Sequence, residues 1–135
     1  MNNNDINEKQ ELCKARMHAC EQLFAMTRKN GYLNSNIKRD INNAIGKIKQ
    51  NLFDELKLYQ DFDKQVLLGL IPQINQSMYN SIIKEQKKLI KELVKILNDN
   101  NITNGYKASM VGIIQNILLD GNISKKETST KKSKR

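Results

Sequence analysis

Residues 13 to 20 read CKARMHAC and gather both cysteines, the single histidine and a methionine within eight positions. These are the side chains that bind soft metals or carry thiol redox and nucleophilic chemistry, provided they meet. Helical geometry decides whether they do. Successive residues advance about 100° around a helix axis and about 1.5 Å along it. Cys13, Met17, Cys20 and Phe24 then fall on one line, whereas His18 points about 140° to 160° away from the two thiols. The cysteines stand about 10.5 Å apart, beyond the Cα separation of about 7 Å that a disulfide tolerates. The stretch therefore reads as a helix face that uses sulfur side chains as small core hydrophobes, with His18 in solvent. No metal site, cofactor or catalytic residue is expected. A cysteine nucleophile needs a base beside it, and the only histidine faces elsewhere. Metal binding shared between two chains is the remaining alternative.

The second chemical constellation is a run of ammonium groups. On one helix, Lys84, Lys87, Lys88, Lys91 and Lys95 share an arc of about 100° over about 16 Å. Ile82, Ile83, Leu89, Ile90, Leu93, Val94, Ile96 and Leu97 take the reverse side, with Gln86 the one polar intruder there. Glu85 and Glu92 flank the lysines, and weak i,i+3 or i,i+4 pairing is expected for Lys88 and Lys95. Lysines repeated along one face can neutralise several backbone phosphates and release their counterions; the alternative is an ordinary solvated face. Lysine outnumbers arginine 19 to 4, so nucleic-acid contacts should go to the backbone without base specificity, because bidentate reading of guanine favours guanidinium. Phe24, Tyr59 and Tyr106 are assigned to cores, which leaves few rings to stack on bases.

The C-terminal segment SKKETSTKKSKR supplies Lys125, Lys126, Lys131, Lys132, Lys134 and Arg135. After Ile123 it has no apolar residue with which to offset ordering entropy, so residues 122–135 are expected to be a disordered basic tail. Phosphate binding, a solubilising terminus and a nuclear address compete as its role. Of the net charge of +9, this tail carries +5.

The elements that must position these groups are helices, and no strand alternation occurs. Asp5 with Glu8 resembles a capping box opening a first helix that runs to Asn30, where Gly31 is expected to supply a left-handed cap. Asn34, Ser35 and Asn36 are N-cap candidates for a second helix, whose seam is Ile37, Ile41, Ile45, Ile48, Leu52, Leu56 and Tyr59. A polar break at Gln60 to Asp63 precedes a short third helix over Val66 to Ile71, which Pro72 either ends or follows as the first-turn proline of the next helix. The fourth spans about residues 73–98. After a loop rich in Asn and Gly, the fifth spans Tyr106 to Leu119 and is placed at the centre of the molecule by its broad apolar surface. The expected fold is all-α, a single-domain bundle of about five helices over residues 1–121.

No phosphate-cradling glycine loop, zinc spacing or paired nucleophile and base is present, and Asp61 with Asp63 reads as capping, so the chain is expected not to be an enzyme. Ala108 and Gly112 have helix-turn-helix spacing, but the would-be recognition segment, Ile114 to Leu119, is too apolar to read a groove. The longest apolar run, VLLGLI, is about a third of a membrane span, and MNNNDINEKQ lacks a signal-peptide pattern. A cytoplasmic location is expected, or the nucleus in a eukaryotic host, or a virion. The abundance of Asn, Ile and Lys is read as an A/T-rich genome. The expected function is that of a non-enzymatic accessory protein of a nucleoprotein assembly, which contacts backbone phosphates nonspecifically. The alternative is a protein-interaction or structural subunit of a larger assembly, phage or viral assemblies included, in which the second helix's seam completes a bundle with another chain or copy.

Overall fold

The computed structural model describes residues 3–100 and 102–119. Among them the chain forms four helices: α1 (Asn3–Lys29), α2 (Ser35–Leu67), α3 (Gln76–Asp99) and α4 (Asn104–Ile113), the last continuing as a π-helical segment, Ile114–Leu119. The described residues contain no strand. The fold is all-α with four helices rather than five, and the basic tail, residues 122–135, lies outside the described residues.

The missing helix is explained by the length of α2. The residues Gln60 to Asp63 do not break it, because Phe62 falls one turn after Tyr59 on the same buried line. The polar residues beside it face outward or make bonds: Gln65 donates to Asp61 at 3.1 Å and Gln10 donates to Asp63 at 2.6 Å. Polarity alone does not end a helix whose apolar seam continues. At 33 residues, α2 is about 50 Å long.

What ends it is Gly69, with φ of 76°. Its N–H reaches the Val66 carbonyl and the Leu70 N–H reaches that of Gln65, each at 3.0 Å. This is a Schellman cap, in which a glycine in the left-handed region satisfies the last carbonyls. Val66 to Ile71 is thus the last turn of α2, its cap and the exit from it. Gln65 then clamps Gln73, accepting from its N–H at 2.9 Å and donating to its carbonyl at 3.1 Å. Pro72 lies in this connection, and α3 starts only after Asn75, whose side chain accepts from the Met78 N–H at 3.1 Å.

Two further boundaries differ from expectation. Asp5 sits inside the first turn of α1 rather than capping it, a position where its charge suits the helix dipole. Gly31 is not left-handed, since Gly69 is the only described residue in that region. Instead Asn30 Oδ1 accepts from the N–H groups of Tyr32 and Leu33, at 2.8 and 3.2 Å, and turns the chain. Of the three N-cap candidates it is Asn34 that caps α2, accepting from the N–H groups of Asn36 and Ile37.

The helix at the centre is α2, not the last one. It packs antiparallel to α1 on one side and to α3 on the other, while α4 and its π-helical extension lie against α1 and α3. The seam from Ile41 to Phe62 is buried among Ile6, Cys13, Cys20 and Leu23 of α1 and Leu89, Ile90, Leu93 and Leu97 of α3. Met110, Ile114 and Leu118 close the same core. The breadth of apolar surface on the last helix is used only in part, with Leu119 exposed. The alternation of direction puts the α1–α2 and α3–α4 turns at one end and the α2–α3 turn at the other. Thr27 and Tyr106 share a hydrogen bond of 2.8 Å that ties the two turns at the first end together.

Candidate nucleic-acid interface

The five lysines of α3 all lie exposed on one face, as the helical spacing requires, because Leu89, Ile90, Leu93 and Leu97 hold the opposite face in the core. They border a shallow depression of about 660 Å³ with Tyr79 and Ile83 along its edge. Lys95 pairs with Asp99 at 2.9 Å rather than with Glu92, and Asp99 raises its pKa by hydrogen bonding and charge. No carboxylate among the described residues lies within 4.0 Å of Lys84, Lys87, Lys88 or Lys91. The expected pairing of Lys88 is therefore absent. Exposed lysines gain little from such pairs and lose side-chain entropy in making them. Four ammonium groups are left without an anionic partner. The tail cations Lys125, Lys126, Lys131, Lys132, Lys134 and Arg135 lie outside the described residues.

The cysteine face is built for packing. Cys13 and Cys20 are free and buried, His18 is exposed, and Met17 and Phe24 flank the core. Burial pushes both thiols up to about 12, and the Glu55 carboxylate adds to the effect at Cys13. A thiol so far from ionisation is a poor nucleophile at neutral pH. No group of three His, Cys, Asp or Glu side chains among the described residues could hold a metal ion.

Inside the α2–α3 contact lies a polar network that the sequence reading passed over. Gln86 Nε2 donates to Asn51 Oδ1 and to Glu55 Oε1, both at 2.9 Å, and Asn51 Nδ2 donates to the Ile82 carbonyl at 3.0 Å. Tyr59 donates its hydroxyl to Glu55 Oε2. Burial and this carboxylate raise the phenol well above its ordinary value. Arg16 Nε reaches the Ile117 carbonyl at 3.2 Å, from beside the same network. The signal was present: Asn51 and Glu55 stand three and seven residues after Ile48, on the seam itself, opposite the one polar residue of the apolar side of α3. Mutually satisfied buried groups of this kind fix how two helices register, because a slip would strand each of them.

The α2–α3 turn exposes aliphatic side chains, Leu67 at 87% and Ile71 at 86%, with Leu68, Leu70 and Met78 also exposed. At the opposite end Tyr32 is 91% exposed. The segment Ile114 to Leu119 is buried at Ile114 and Leu118 and exposed at Gln115, Asn116 and Leu119. Among the described residues no helix is long and apolar enough to cross a membrane. Comparison of the chain with family models, curated proteins and solved structures returns no match.

Proposed function

We propose that the protein is a non-enzymatic accessory component of a nucleoprotein assembly, contacting backbone phosphates through the lysine face of α3 with the basic tail as a second contact. The observation that carries this reading is the set of four exposed lysines, Lys84, Lys87, Lys88 and Lys91, aligned on one helix face without an anionic partner among the described residues. Such a row attracts a regularly spaced polyanion and gives up little when it binds, since no internal ion pair must first be broken. The contacts carry no sequence information, because point charges on flexible stems do not discriminate base edges. Gel-shift titration at two salt concentrations, with the full chain and with residues 122–135 deleted, tests it. Affinity should fall steeply as salt rises, and binding kept without the tail assigns it to α3. No measurable binding at low salt overturns the reading.

A second reading, a structural subunit formed with another copy of this chain, is favoured by the aliphatic α2–α3 turn. It does not use the α2 seam, which is buried within the chain itself. Each exposed Leu or Ile on the turn leaves about 1.5–3 kcal/mol of burial unrealised. Exposed Asp61 and Lys64 beside it are of opposite charge, which suits a twofold pairing of identical turns. Light scattering decides: a dimer abolished by Leu67→Ser with Ile71→Ser supports it, and a monomer at high concentration removes it.

A further inference from the structure

The α1–α2 turn carries a second basic surface of different chemistry. Arg28, Lys29, Lys38 and Arg39 flank it, against one nearby carboxylate, Asp40, without an ion-pair partner among the described residues, and two of the chain's four arginines are here. Glu21, the other acid close by, is held by Lys49. Between the end of α1 and the start of α2 opens a groove of about 530 Å³, bordered by Arg28, Lys38, Phe24, Asn42 and the Lys49-paired Glu21, a volume within the range of small-ligand sites. At the apex stands Tyr32, its ring 91% exposed and without a hydrogen-bond or ring partner among the described residues.

The backbone under that ring is held. Asn30 Oδ1 binds the N–H groups on both sides of the Tyr32 Cα, and Leu33 packs against the core. The cations are placed too: Arg39 donates to Asn36 Oδ1 at 2.9 Å, and Lys38 reaches the Arg28 carbonyl at 3.5 Å. An exposed aromatic ring on a turn whose two flanking helix ends carry guanidinium and ammonium groups suits a flat, polarisable base whose phosphates meet the cations, with guanidinium able to grip phosphate bidentately. A paired base inside a duplex hides its faces, so this geometry selects an unpaired one.

We propose that Tyr32, with Arg28, Lys29, Lys38 and Arg39, forms a stacking site for single-stranded nucleic acid. This deepens the reading given above and rests on it: it names the class of polymer.

The chain has no tryptophan, so Tyr32→Trp gives a probe free of background emission. Titration with an oligodeoxythymidine of about 12 nucleotides should quench that emission, whereas a hairpin duplex of equal phosphate number should leave it nearly unchanged. In the otherwise unaltered chain Tyr32→Ala should weaken single-strand binding roughly tenfold, the effect of losing one stacked base, and leave duplex binding within about twofold. Single-strand affinity indifferent to Tyr32→Ala, together with unquenched emission, overturns the stacking site and leaves the α3 reading standing. Failure of the unaltered chain to bind either polymer at low salt overturns both. Emission that responds to polyglutamate and not to the oligonucleotide overturns the site in favour of a protein ligand.

Discussion

Gln86 interrupts an apolar helix face and is nonetheless buried, because Asn51 and Glu55 wait for it across the α2–α3 contact. Gln86→Leu would perfect the hydrophobic pattern of α3 while stranding a carboxylate and an amide. We expect it to destabilise the protein by about 1–3 kcal/mol, measured as a lower urea midpoint; a stabilised variant would show that the network contributes nothing. The buried thiols carry a prediction in pH. Their pKa is raised from 9.0 to about 12 in the folded protein. The unfolded chain then releases these protons above pH about 9 while the folded one keeps them, so the stability is complete below that pH and is lost as pH rises toward 12. The urea midpoint should fall between about pH 8.5 and 10.5, and Cys20→Ala should make the fall shallower. An equal fall in both proteins would exclude Cys20 as a contributor.

At the scale of elements, glycine separates two helix ends that look alike in sequence. Gly69 has φ of 76° and closes a Schellman cap, whereas Gly31 is outside the left-handed region, and a Cβ at either site meets no atom within 4 Å. Gly69→Ala should therefore cost about 1–2 kcal/mol through backbone strain alone, and Gly31→Ala should leave thermal unfolding nearly unchanged. Equal effects would mean that the two caps have been assigned wrongly. The α2 seam, the N-cap at Asn34 and the outward lysines of α3 were legible because each follows from helical period or from one local hydrogen bond. The end of α2 was not, since an apolar run containing a glycine reads equally as a short helix or as a helix end. Only the position of Phe62 against α1 and α3 tells which.

Over the whole molecule, cations gather along α3 and at the α1–α2 turn, while the exposed aliphatic side chains sit at the far end. Lys84→Gln, Lys88→Gln and Lys91→Gln combined should lower the slope of log affinity against log salt by about 2 to 3, as expected for three lost phosphate contacts. The urea midpoint should barely move, because all three are exposed. An unchanged slope would place the phosphate contacts elsewhere.

The sequence by itself determined the all-helical class, the facing of sulfur and leucine inward and of lysine outward, and the separation of His18 from the thiols. Each depends on periodicity along a single element, which 100° per residue fixes without reference to a neighbour. Tertiary structure alone decided that α2 is central, that Asn51, Glu55 and Gln86 find one another, that the VLLGLI run is left outside, and that Tyr32 stands exposed at the α1–α2 turn. Those facts depend on which faces remain for burial once long helices have paired, and a pairwise choice between elements leaves no mark in the period of either one.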